Sequence, residues 1–232
     1  MVAVATESLL GKGLYTPPEA AFYARIRTQT FNRWLYGNKS GDRVITPERG
    51  EGAKAVSFLD FVQSLTIRSI TNFASENRVP LQKLREAVEE ARQRYGVEHP
   101  LAMQHKTFVF GNQIVIKAYE DDYRVLTGHS KGNKLITPVV ELHMRKLTFN
   151  SQGLAESYCA WGDGDTKIVM DPHVRFGEPM FPGLGYTART LWEAVPTEGG
   201  IEAVAEIYGV PSDAVMASCD YFDHLQGSAA GD

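Results

Sequence analysis

The sequence predicts an α+β chain with helices at both ends and a β-rich middle. Three observations predict it. Residues 15–95 carry apolar side chains at helical spacing behind recognisable caps. Between 106 and 170 the period shortens to that of strands, broken by Gly-Asn and Asn-Ser-Gln-Gly turns. From Asp171 onward a Gly- and Pro-rich lead-in gives way to three short helical runs.

The front of the chain reads YTPPEAAFYARIRTQTFNRWLYGNKSGDRVI from Tyr15 to Ile45. Thr16 is a candidate N-cap, Pro17 fits the first helical position, and Glu19 completes a capping-box spacing. A first helix follows over Glu19 to Ala24, with Ile26 plugging the turn from its apolar side. Thr28 can cap a second helix, Gln29 to Tyr36, which Gly37 can end. Phe31, Trp34 and Leu35 share one face of that helix. Gln29, Thr30, Asn32 and Arg33 are left on the others, as major-groove reading requires. The pattern is a helix-turn-helix followed by a wing over Asn38 to Arg49, with a short strand at Val44-Ile45. Gln29, Thr30, Asn32 and Arg33 are the candidates for base edges. Arg27, Thr28, Lys39 and Arg43 are the candidates for phosphate. Trp34 is assigned to the core.

Ser57 caps a long helix from Phe58 to Phe73, with a stripe at Phe58, Phe61, Val62, Leu65, Ile70 and Phe73. Pro80 opens another, Leu81 to Tyr95, ended by Gly96. Its Leu81, Leu84, Val88, Ala91 and Tyr95 form a narrow seam that fits core packing or self-pairing. Residues 106–110 and 113–117 read as a hairpin across Gly111-Asn112. Leu147–Phe149 and Leu154–Trp161 read as a second, and Thr166–Met170 as a further strand. Near the end, Thr187 caps a helix over Ala188 to Ala194, Ile201 to Tyr208 makes a second stopped by Gly209, and Ser212 caps a third. Val215, Met216, Cys219 and Phe222 are expected on the inner face of the third. The layout is similar to a homeodomain-like bundle. The expected organisation is a flexible arm at 1–13, a winged helix-turn-helix with two further helices at 14–100, a β-rich connection at 101–170, a three-helix domain at 171–226 and a disordered tail at 227–232.

Charge divides along the same lines. Residues 1–54 hold eight Lys/Arg against five Asp/Glu, whereas residues 171–232 hold two against ten, within a whole-chain net charge of -4. A basic front suits phosphate, and an acidic end suits a basic protein partner. No apolar run reaches the ~20 residues of a membrane span. The first residues lack a secretory pattern, and Cys159 and Cys219 read as reduced thiols of a cytoplasmic protein.

Enzyme chemistry finds no support in the motifs. Gly128-His-Ser-Lys-Gly132-Asn-Lys134 lacks P-loop spacing, although Lys131 and Lys134 could touch an anion. The six histidines show no ligand spacing. No Ser/His/Asp or Cys/His set assembles, so neither a metal nor a cofactor is expected.

The order of parts resembles that of a group of VapB-type antitoxins with a MerR-like winged helix-turn-helix. The residues that carry the resemblance are Arg33-Trp34 in the second helix, Ser57-Phe58, and Pro80-Leu81-Gln82-Lys83-Leu84-Arg85. The C-terminal stretch looks like a small domain of unknown function recurring in toxin–antitoxin loci. It matches at Asp171-Pro172, Gly177-Glu178-Pro179-Met180-Phe181-Pro182-Gly183 and Gly199-Gly200-Ile201-Glu202. It departs where Gly185 stands in place of the pattern's final Arg. The resemblance implies a homodimer that binds double-stranded operator DNA, represses its own operon and neutralises a toxin protein of the PIN-domain ribonuclease class. The rival readings are a MerR-type ligand-responsive regulator and an interaction module without DNA binding.

Overall fold

The computed structural model describes residues 13–37, 43–48, 55–73, 81–104, 106–110, 113–117, 135–136 and 143–227. They form an α+β architecture in two compact units, Met1–Glu156 and Ser157–Asp232.

In the first unit, β1 (Gly13–Tyr15) pairs antiparallel with β2 (Val56–Ser57), which anchors the entry to α1 (Pro17–Tyr23) beside the start of α3 (Phe58–Phe73). The capping box forms as expected. Glu19 N donates to Thr16 Oγ1 at 3.3 Å, and Thr16 N donates to Glu19 Oε2 at 3.4 Å. Thr16→Ala removes an exposed cap without touching the core, so it is expected to cost about 1 kcal/mol in urea denaturation. The turn after α1 is a Schellman motif. Ile26 N donates to Ala21 O and Arg25 N to Phe22 O, with Arg25 at φ 52. An arginine occupies the left-handed position that glycine usually takes. Arg68, on α3, donates from Nη1 to Ala24 O at 3.0 Å and satisfies a carbonyl at the end of α1.

The second helix, α2, runs Thr28–Tyr36, one residue earlier than expected. Arg27 stands at its N-cap and no side chain caps it, so the assignment of Thr28 as cap is corrected. Phe31, Trp34 and Leu35 are buried as expected. The expected strand at Val44-Ile45 does not form. Both N–H groups donate instead to the single carbonyl of Trp34, at 2.8 and 2.9 Å. These N–H groups are used up on a helix end, so they cannot pair with a hairpin partner.

Ser57 caps α3 as expected, accepting from Asp60 N at 3.0 Å. The expected one-sided stripe, however, is replaced by all-round burial. Every residue from Val56 to Ile67 is buried, Asp60, Gln63, Ser64 and Thr66 included. Ser64 returns its hydroxyl to the helix's own carbonyl at Phe61, and Thr66 Oγ1 lies 3.2 Å from the Val62 carbonyl. Thr66 Oγ1 also lies 2.8 Å from Leu101 O and 3.2 Å from His143 Nε2. A hydroxyl has one proton. Given to Leu101 O, it leaves Thr66 to accept from the Nε2–H of a neutral His143. Burial is the main reason that the His143 pKa is pushed down to about 4, which keeps the ring neutral.

Helix α4 (Leu81–Tyr95) buries Leu84, Ala87, Val88 and Ala91. The first hairpin forms between the expected runs. Strands β3 (Lys106–Phe110) and β4 (Gln113–Lys117) pair from Lys106↔Lys117 to Phe110↔Gln113, and β5 (Leu135–Ile136) adds to β3. Gly111, Asn112 and the Gly128–Lys134 loop lie outside the described residues. At the second hairpin, Asn150 Oδ1 accepts from Gln152 N and Leu154 N, both at 3.0 Å, between β6 (Leu147–Phe149) and β7 (Ala155–Trp161).

In the second unit, β7 pairs antiparallel with β8 (Ile168–Met170) in the register Tyr158↔Met170, Cys159↔Val169 and Trp161↔Ile168. Gly162, at φ 64, begins the connection, and a Cβ there would lie 3.0 Å from Thr166 O. Met180 exchanges two backbone hydrogen bonds with Val169, and Thr187 caps α5 (Ala188–Glu198) by accepting from Thr190 N at 3.1 Å. That helix runs a turn beyond the expected Ala194. Helix α6 (Ile201–Tyr208) ends at left-handed Gly209 as expected, and α7 (Ser212–Gln226) follows. Trp192 of α5 stacks on Phe222 of α7 with centroids 4.5 Å apart and planes 14° apart. The inner face of α7 is Ala214, Val215, Ala217, Ser218, Tyr221, Phe222 and Leu225. Met216 is exposed and Cys219 half-buried, contrary to expectation, because they flank this seven-residue face rather than lie on it. The N-cap is Pro211, not Ser212.

Between β8 and Met180 the chain makes a tightly tied loop. Asp171 Oδ1 accepts from His173 N at 2.8 Å and lies 3.0 Å from His173 Nδ1. Val174 N donates to Asp171 O, Gly177 N to Val174 O, and Glu178 N to Arg175 O. Three consecutive residues are left-handed: Arg175 at φ 48, Phe176 at φ 55 and Gly177 at φ 79. For the two L-residues this costs about 1–2 kcal/mol each.

Candidate nucleic-acid interface

The geometry of α2 follows from its burial. An α-helix with its side chains is about 10–12 Å across, which the ~12 Å width of a major groove admits. With Phe31, Trp34 and Leu35 facing inward, Thr28, Gln29 and Arg33 are exposed, and Thr30 and Asn32 are half-buried. Gln29, Thr30, Asn32 and Arg33 come together with Tyr36 and Gly37 around one surface hollow of about 680 Å³. Four sequence-selected residues therefore share one surface. Asn32 is oriented less favourably than the others. Its Oδ1 is buried without a hydrogen-bond partner among the described residues, so it does not present both amide atoms to an adenine edge.

Arg27 is exposed at the N-cap, and Thr28 is exposed in the first turn. No side chain caps the helix, which leaves its first N–H groups available beside Arg27, as phosphate binding at a helix start requires. Lys39 lies outside the described residues. Arg43 is half-buried and lines a separate hollow with Gln82, Arg85, Glu86, Glu89 and Arg92 of α4, so the structure does not bring it to the hollow beside Arg33.

The segment 43–48 is fixed at both ends by groups that sequence reasoning missed. At one end is the Trp34 carbonyl. At the other, Glu48 N donates to Asp60 Oδ2 at 3.4 Å, and Glu48 Oε1 lies 3.1 Å from His99 Nε2. Arg92 donates to Thr46 Oγ1 and, at 3.0 Å, to Glu98 O. Burial, seconded by the Glu48 carboxylate, pushes the Asp60 carboxyl up to about 6. Burial likewise lowers the pKa of Arg92. The only local signal was an aspartate inside an apolar helix start, which reads equally as an N-terminal acid favoured by the helix dipole.

Among the described residues no group of His, Cys, Asp and Glu is arranged to hold a metal ion, and no helix is long and apolar enough to cross a membrane. Cys159 and Cys219 are free thiols.

No protein-family profile matches the chain. A Mycobacterium tuberculosis protein named "Putative antitoxin VapB45" is 23% identical over 227 residues, covering 89% of this chain and 92% of its own length. The crystal structure of Rv2018 from Mycobacterium tuberculosis superposes with a TM-score of 0.63 at 19% identity, covering 89% of this chain and 97% of that one. Over most of its length the chain thus has the fold of one mycobacterial protein and is similar in sequence to one that bears an antitoxin's name.

Proposed function

We propose that this chain is the antitoxin of a type II toxin–antitoxin system. It binds operator DNA as a homodimer through α2, represses its own operon, and neutralises a PIN-domain ribonuclease toxin by direct contact. The observation that carries the reading is the end-to-end similarity to the protein named as an antitoxin, which spans both units rather than one shared module. The geometry of α2 supports the DNA half. A helix held by three buried apolar residues offers Gln29 and Arg33 to base edges, and Arg27 and Thr28 to phosphate.

Charge supports the toxin half. Residues 157–232 hold three Lys/Arg against twelve Asp/Glu, and residues 1–156 hold twenty-one against sixteen. A domain with net charge -9 repels nucleic acid and favours a basic surface, such as an RNA-cutting enzyme needs for its own substrate.

The test is co-expression with the product of the adjacent reading frame. Co-purification of the two proteins and rescue of growth are the expected results. A partner that remains toxic and elutes alone overturns the reading.

A further inference from the structure

The loop between Asp171 and Met180 presents an aromatic side chain to solvent at a conformational cost. Phe176 is 71% exposed, the most exposed large hydrophobic residue among the described residues, and Val174 nearby is 42% exposed. A phenylalanine with φ 55 and ψ 31, flanked by an arginine at φ 48, is a backbone outlier that persists only when its surroundings impose it. They do so here. Asp171 fixes His173 and Val174 on one side, and Met180 is tied to Val169 on the other. Arg175 Nη2 reaches back to Gly185 O at 3.4 Å, which leaves the phenyl ring at the tip. The ring thus protrudes from a loop whose backbone is already ordered, as a binding anchor requires.

We propose that Phe176, seconded by Val174, is the anchor by which the acidic C-terminal unit docks on its toxin, entering an apolar pocket set in a basic protein surface. The inference rests on the antitoxin reading and adds the contact that makes it specific. The choice of a basic protein as occupant follows from charge. The unit that carries the loop has net charge -9, which opposes approach to nucleic acid or to an anionic membrane and steers a cationic surface toward it.

The experiment uses the full chain and the purified product of the adjacent reading frame, with wild type, Phe176→Gly and Phe176→Ala compared by calorimetry and thermal melting. Both variants are expected to bind about 10–100-fold more weakly. Phe176→Gly relieves the left-handed backbone and loses little packing, so its Tm is expected to rise by about 2–4 °C while affinity falls. Phe176→Ala keeps the backbone strain and is expected to melt near wild type. Opposite movement of stability and affinity in Phe176→Gly marks a residue kept for binding. Affinity equal to wild type in both variants overturns the anchor but leaves the antitoxin reading standing. A wild-type chain that fails to bind overturns both. A lowered Tm in Phe176→Gly makes the ring a packing element and overturns the proposal. So does loss of self-association with toxin binding intact, which makes a second copy of the chain the occupant.

Discussion

Arg33→Ala is expected to weaken binding to the DNA upstream of the gene by about 5- to 150-fold, the equivalent of about 1–3 kcal/mol, and to relax preference at one base position. The size of the effect follows from where α2 places the residue. The apolar face at Phe31, Trp34 and Leu35 is buried, so Arg33 stands clear of it as an exposed residue. Its backbone carbonyl, which accepts from Gly37 N at 3.1 Å, is unaffected by the substitution, so the helix end persists. Arg27→Ala, at the N-cap, is the control. It is expected to weaken specific and non-specific DNA alike and to lower the salt slope by about one. Gel shifts at two salt concentrations separate the two roles. Arg33→Ala binding with wild-type affinity and specificity overturns the base-reading assignment.

Asp60→Asn is expected to change how stability depends on pH by about 3 kcal/mol between about pH 4 and 6. Two buried groups act in opposite directions in wild type. Asp60 has a folded pKa of about 6 against an ordinary value of 3.8. The folded state therefore holds an extra proton between those values, and stability falls as pH rises from about 4 to 6. His143 has a folded pKa of about 4 against an ordinary 6.5. There the unfolded state holds the extra proton, so stability is complete above 6.5 and is lost as pH falls toward 4. The two slopes offset one another over the range they share. The carboxamide of Asp60→Asn cannot titrate, so the variant exposes the histidine slope, and its stability relative to wild type climbs with pH. Urea titrations at intervals across this range check this. Parallel curves for the two proteins overturn the assignment of an elevated carboxyl to Asp60.

The candidate interface was legible in part. The Thr16 capping box and the buried triad of α2 follow from spacing, because caps and helical faces are settled within about four residues. The first hairpin, which pairs Phe110 with Gln113, follows from two β-rich runs either side of Gly-Asn in the sequence. The strand at Val44-Ile45 did not follow, and residues 38–42 and 49 of the expected wing lie outside the described residues. Val44 and Ile45 have strand composition, but their N–H groups are taken by the Trp34 carbonyl at the end of α2. Composition says which residues tolerate extended backbone, not which acceptor is nearest. The basic loop composition points Arg43 to phosphate, but it lines a hollow with residues of α4 instead.

The sequence by itself determined the α+β succession of helices and strands, most helix ends, the acidic C-terminus and which face of α2 is buried, since all of these depend on short-range hydrogen bonds, periodicity and composition. Only the tertiary structure decided that the first part of α3 is enclosed on every side, that Met216 lies off the inner face of α7, and that Asp60 and His143 titrate far from their ordinary values. It alone decided that Phe176 is held out at left-handed φ. The burial and the shifted titrations depend on which distant residues exclude water, which is set by packing between elements that are not neighbours in sequence, whereas the Phe176 backbone is set by the hydrogen bonds that tie its own loop at Asp171 and Met180.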